Sequence, residues 1–265
     1  MIRLEALVGV EGNGLSLQNN TLTLNKTIHD FILIEKELNL CVLAGASAKI
    51  LDVSEGSQIH IEIQAGASLE YQAFNTKNIS RTVSCSGEFK MMEICLEESH
   101  EELKIELLKE FASAEVELLT LASESSFQFI QRIEHKAKQT TSNISNFGVA
   151  LQKGDILFDT TGKIYKGMSK SKCVQLSKGI VMDDISSVTS KPILLIDEFD
   201  VIANHGASIG KMSDESLFYL MSRGLTKQEA FLLMLEGIVR PFIDKLTDEE
   251  VKNQFEKKIE TILKR

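Results

Sequence analysis

Residues 44–68 read AGASAKILDVSEGSQIHIEIQAGAS. The tetrapeptide Ala44-Gly45-Ala46-Ser47 returns as Ala65-Gly66-Ala67-Ser68, a period of 21 residues. Between the copies, Ile59, Ile61 and Ile63 alternate with His60, Glu62 and Gln64. Period-two alternation sends successive side chains to opposite faces, so the segment reads as half-buried strand between small-residue turns. Small residues at turns spaced about 20 apart suit a solenoid, because each coil turns sharply and stacks closely on the next. Two copies leave a β-helix and a β-sandwich both open.

Working outward, the alternation persists from about residue 15 to residue 210. Leu103, Ile105 and Leu107 alternate with Lys104 and Glu106, and Val116, Leu118 and Thr120 follow, so Glu97 to Lys109 reads as strand despite its helix-forming content. After Met212 the period becomes helical. Ser213 can cap a helix with Asp214 and Glu215 in its first turn, and Gly224 can end it. Thr226 with Glu229 and Thr247 with Glu250 form capping boxes. The second helix carries Phe231, Met234, Leu235, Ile238 and Phe242 on one face, and Pro241 should kink or end it near Val239. The last, Asp248 to Lys264, shows a stripe of Val251, Phe255, Ile259, Ile262 and Leu263. The chain thus divides into a β core, residues 1–212, and a small helical domain, residues 213–265. Such short helices must pack on the core or on a partner.

A formal charge of −9 argues against a nucleic-acid partner, because phosphate binding needs a cationic face. The basic run from Lys163 to Lys178 is interleaved with Ser and Gly and reads as a solvated loop. Apolar runs are too short for a membrane span, and the start, MIRLEALVGVEGNG, does not read as a secretion signal. Cys41, Cys85, Cys95 and Cys173 lie far apart with no Cys-x-x-Cys pair, which suits reduced thiols in a cytoplasmic protein. No phosphate-binding loop occurs, so nucleotide hydrolysis is not expected. Adjacent carboxylates such as Asp183-Asp184 and Asp197-Glu198 split between opposite faces if they lie on strands.

Residues 204–224 read NHGASIGKMSDESLFYLMSRG, followed by TKQEAFLLMLEGIVRPF. The pieces His205-Gly206-Ala207-Ser208, Phe218-Tyr219-Leu220, Arg223-Gly224 and Ala230 resemble, with their spacing, the C-terminal signature of the SufB/SufD family of iron–sulfur cluster assembly proteins. The segment of His135, Thr140, Thr141 and Ser142 resembles a second family segment, and Gln175 falls where the family commonly has Gln. The resemblance implies a mainly β fold, a right-handed parallel β-helix followed by the helical domain. It also implies a non-enzymatic scaffold subunit partnered by a SufC-like ABC-type ATPase, and by itself or a SufB-like subunit as a dimer. A transient iron–sulfur cluster is the implied cargo, with any flavin undecided.

His205 is the foremost site candidate and the candidate metal ligand, since a neutral imidazole binds iron and its second nitrogen can be oriented by a neighbour. The plainer reading of a lone histidine is a hydrogen-bonded residue at a domain junction. The resemblance tips the reading, because in SufD-type members the matching histidine is implicated in cluster assembly at the subunit interface. The expected cysteines are missing. SufD-type members often place one two residues before the histidine, where this chain has Ala203, and SufB-type members place one some 28 residues before it, at Ser177. SufB-type members also follow the histidine with glutamate, where this chain has Gly206, so it looks closer to SufD. Cys173 is the thiol nearest in sequence and the substitute candidate. Phe218, Tyr219, Arg223 and Gly224 are candidates for the ATPase interface, against a plain reading as helix core and helix end. Two rivals remain, a structural adaptor of the same fold without cluster chemistry and a β-helix carbohydrate-active enzyme. Aromatic content of 6% with no Trp weakens the second.

Overall fold

The protein is described by a computed structural model covering residues 2–3, 14–246 and 249–263. Thr247 of the expected second capping box, the side chain of Glu250, those of Ile262 and Leu263, and most of the N-terminal segment lie outside the described residues.

Eighteen strands and three helices are present among the described residues. The first strands are short: β1 (Ile2–Arg3), β2 (Leu15–Gln18), β3 (Thr21–Leu24), β4 (Phe31–Ile34) and β5 (Asn39–Val42). β6 (Ser47–Asp52), β7 (Gln58–Ile63), β8 (Ser68–Phe74), β9 (Ser80–Cys85) and β10 (Glu88–Cys95) run six to eight residues. Then come β11 (Ser99–Leu107), β12 (Ser113–Ser123), β13 (Ser126–His135) and β14 (Thr141–Leu151). β15 (Asp155–Ile164), β16 (Lys172–Val181), β17 (Ser187–Ile196) and β18 (Ile202–Lys211) complete the set, each of ten residues.

From β4 onward successive strands alternate between two nine-stranded sheets, and each pairs in parallel with the strand two later. This is a parallel β-helix. Only β2 departs, pairing antiparallel with β3 at the narrow end. The 21-residue repeat is one coil: Ser47 and Ser68 are in register, and the Ser68 hydroxyl donates to that of Ser47 at 2.8 Å. Gly45 and Gly66 supply the turn with φ of 77° and 73°, a region open to glycine at little steric cost. Later coils are longer, 31 residues separating the stacked Thr140 and Ser171.

Inward positions of both sheets fill the core with Ile32, Ile50, Tyr71, Phe89, Val83 and Ile105 among others. Farther on Phe127, Phe129 and Phe158 stack at 6.2 and 5.9 Å between ring centres. The interior also holds a buried ionic group, in which Arg81 meets Glu101 at 2.8 Å and Asp52 and Glu93 at 3.0 Å each.

The helices are α1 (Asp214–Ser222), α2 (Lys227–Ile243) and α3 (Glu249–Leu263). Ser213 caps α1, and Thr226 with Glu229 forms the expected capping box on α2. The β core, rather than a partner, covers α2 and α3. Leu235, Val239, Ile243, Val251, Phe255 and Ile259 pack on outward residues Leu51, Phe74, Met92, Leu119, Leu121 and Val149 of the even-numbered strands. The α2 stripe centres on Leu235 and Val239, with Phe231, Ile238 and Phe242 at its flank. Pro241 does not end the helix near Val239, since α2 runs on to Ile243. A proline so close to the end removes little of the ladder, and burial of Val239 and Ile243 holds the last turn.

The basic run is likewise corrected. Lys163 lies in β15, and Lys172 and Lys178 lie in β16, leaving only residues 165–171 as turn. Lysines at outward positions of alternating strands give the same composition as a loop. No helix among the described residues is long and apolar enough to cross a membrane.

Candidate functional site at the open end of the β-helix

β17 and β18 end their sheets, so each has a ladder neighbour on one side only. Their free edges carry backbone amides and carbonyls available to another strand. Exposed Ile193, Leu195, Ile202 and Ile209 accompany those edges.

β18 pairs with β16 in unbroken parallel register, so that Cys173 faces Ala203, Gln175 faces His205 and Ser177 faces Ala207. Residues in register share a face of the sheet. Cys173, Gln175 and Ser177 are buried, inward positions of β16. His205 therefore belongs to the inward row as well, but no further coil stacks on it and it is exposed. An imidazole thus stands on the rim of an unfinished stack.

The two site candidates predicted from sequence, His205 and Cys173, come together on this row. Their Cα atoms are on the order of 8 Å apart, given a strand spacing of about 4.8 Å and a rise of about 3.3 Å per residue. The position of the missing SufD-type cysteine, Ala203, is directly beside Cys173. That thiol is 1% exposed. Burial pushes it up, and the Ser142 hydroxyl draws it partly back. A Cβ on Gly162 would lie 2.4 Å from Cys173 Sγ and 2.8 Å from Gln175 Nε2, so glycine is what leaves room for both side chains.

Behind Cys173 runs a sealed polar row. Ser142 Oγ lies 2.9 Å from His135 Nε2, His135 Nδ1 lies 2.8 Å from Thr140 Oγ1, and Thr140 Oγ1 lies 3.0 Å from Ser171 Oγ. Burial pulls the His135 imidazole down to about 4, so it is neutral at ordinary pH. Among the described residues no three His, Cys, Asp or Glu side chains converge as a metal site.

Phe218, Tyr219, Arg223 and Gly224 belong to α1 and its end, outside this seam. No residue of α1 is buried; Phe218 is 73% and Tyr219 55% exposed. Arg223 lies over the Tyr219 ring at 5.2 Å, and its Nη2 donates to the Tyr219 hydroxyl at 3.2 Å. Gly224 takes φ of 100° to end the helix.

The model of the SUF-system iron–sulfur cluster assembly family, SufBD core domain, matches residues 35–238. The chain belongs to the SufBD family. Within it the chain stands closer to SufD. The SufD cluster assembly protein of Bacillus subtilis is 37% identical over 141 residues, 53% of this chain and 32% of that protein. A SufBD family protein of Mycobacterium tuberculosis is 33% identical over 138 residues, 52% of this chain and 16% of that protein. Escherichia coli SufD is 28% identical over 122 residues, 46% of this chain and 29% of that protein. These matched stretches thus span about a third or less of the relatives' length.

Two features of this SufBD chain escaped the sequence reading. Gln175 has an amide oxygen, Oε1, that is buried with no hydrogen-bond partner. The Arg81 group left a signal that went unused: Asp52, Arg81, Glu93 and Glu101 fall in phase with Ile50, Val83, Met91 and Leu103, on the inward face. Charged residues in apolar phase mark a buried polar cluster.

Proposed function

We propose that this chain is a SufD-like, non-enzymatic scaffold subunit of a Suf-type iron–sulfur cluster assembly complex, working in the cytoplasm with an ABC-type ATPase of the SufC kind. The observation that carries the reading is the exposed His205 imidazole on the inward row of an unpaired edge strand. Among the described residues one chain offers that imidazole and the buried Cys173 thiol but no complete ligand set, so the rest comes across the seam from a second subunit, a copy of itself or a SufB-like chain. The cluster is cargo, held briefly between the two. α1 is the element offered to the ATPase, because its apolar residues are unburied and Arg223 holds Tyr219 in place.

Anaerobic reconstitution with ferrous iron and sulfide tests the reading. Cluster absorbance should fall strongly in His205→Ala and partly in Cys173→Ser. Absorbance unchanged by both would overturn it. That result would favour the second reading, an adaptor without cluster chemistry, for which Ala203, Ser177 and the buried state of Cys173 speak. Capture of the ATPase should be lost in the Phe218→Ser, Tyr219→Ser double variant. The carbohydrate-active alternative has no support from the interior, where Asp52, Glu93 and Glu101 are buried around Arg81 rather than arrayed along a groove.

A further inference from the structure

The orphaned amide oxygen of Gln175 points to a residue that controls His205. Gln175 is 2% exposed, and its Nε2 donates to the carbonyl of Ile193 on β17 at 3.3 Å. Turning the amide over would set two acceptors face to face, so that carbonyl fixes which end is nitrogen. Oε1 is left as a buried acceptor without a donor. A buried polar atom in that state costs about 1–3 kcal/mol, and native structures seldom leave one unmet.

Two in-register neighbours flank Gln175 on its face, Ile144 of β14 and His205 of β18. Ile144 has no side-chain donor. The His205 imidazole carries an N–H and starts only about 4.8 Å away, one strand over. Cys173 and Ser177, the other side-chain donors on the β16 row, lie about 6.6 Å along the strand to either side. The His205 side chain is exposed, so its ring is free to turn.

We infer that Gln175 is the positioning residue for His205. Its Oε1 accepts the imidazole N–H, which fixes the tautomer and leaves the lone pair of the other ring nitrogen facing the open end. A metal-binding histidine is oriented in this way by an acceptor on its far nitrogen, and loss of such an acceptor typically weakens metal binding about 10- to 100-fold. The inference rests on the scaffold reading for the purpose of the free nitrogen, but the hydrogen bond is separately measurable.

The test uses the full chain labelled with nitrogen-15 in its imidazoles, with His205 assigned by the disappearance of its signals in His205→Asn. With the ring neutral, wild type should show one tautomer and Gln175→Leu a mixture. Gln175→Glu in its protonated form donates its O–H to the Ile193 carbonyl and keeps an acceptor, and should keep the single tautomer. Should the Leu variant not fold, Gln175→Asn, one methylene shorter, withdraws the acceptor while remaining polar. Ferrous iron affinity, with the metal alone as probe, should drop about 10-fold or more in Gln175→Leu and recover in Gln175→Glu. A mixture of tautomers in wild type, or a single one in Gln175→Leu, overturns the inference. If His205→Ala abolishes iron binding while the tautomer ignores residue 175, this inference fails and the scaffold reading stands. If the tautomer follows residue 175 while His205→Ala binds iron normally, the hydrogen bond stands and the scaffold reading fails.

Discussion

At the residue scale the interior is governed by charge. One guanidinium, Arg81, faces Asp52, Glu93 and Glu101, and Tyr71 also donates to Asp52. Burial, with the negative Glu101 next in weight, pushes the Glu93 carboxyl well above the usual carboxylate range, and Arg81 lowers it without cancelling that push. Glu93 accordingly holds its proton more tightly than an exposed carboxyl. Arg81→Leu would strand the carboxylates and should cost about 3–5 kcal/mol. Glu93→Gln removes a carboxyl whose charged form burial already disfavours and keeps an acceptor for Arg81, so it should change stability by less than about 1 kcal/mol. Urea unfolding of the two variants reads the contrast.

His135 provides the matching acid-side prediction. Its folded value of about 4 lies below its ordinary 6.5, so between them the unfolded chain takes up a proton that the folded chain refuses. The stabilisation is complete above that ordinary value and is lost as pH falls through the window. Wild type should lose about 3 kcal/mol from this group by pH 4. In His135→Gln the loss disappears, so the stability gap between the two proteins narrows on acidification. A gap constant with pH would contradict the neutral buried imidazole. His205 was legible at this scale because it sits in a recognisable string. The acceptor on Gln175 was not, since an orphaned oxygen exists only once strands are in register.

At the scale of elements, period-two alternation gave the strands and a capping box gave the start of α2. What misled was composition without position. The lysines of β15 and β16 look like a loop because alternating strands send every second residue to solvent. The repeat was visible where coils are 21 residues long and faded as they lengthened toward 31. Near-continuous burial in β10 and β12 reflects the helices lying on the outer face, which turns half-buried strands into fully buried ones. Phe255 is the anchor of α3 on that face and is fully buried. Phe255→Ala should cost about 3–5 kcal/mol and raise amide exchange in α3 before the strands. Equal loosening of β11 and β13, on the opposite sheet, would show that the helix is not a separate layer.

At the scale of the whole molecule the sequence indicated a stacked β core and a helical tail, but not which end of the stack would be left bare. That depends on where the coils stop. β17 and β18 close nothing, and exposed Ile193 lies on the outward face of β17. A lysine there is a natural way to blunt a strand edge. If the proposed second subunit is a copy of this chain docked on that edge, Ile193→Lys should leave the circular dichroism unchanged and yield single chains in light scattering. Association unaffected by the charge would place the contact elsewhere.

The coils broaden from strands of four residues at β2 to ten at β18. A template of ten residues is matched along its whole length by another of that span, whereas a strand of four covers fewer than half of its rungs. Docking mouth to mouth about a two-fold axis consumes both templates at once, whereas tip-to-mouth stacking would propagate into fibres. On the two-subunit reading, taper therefore favours closed pairs over open growth.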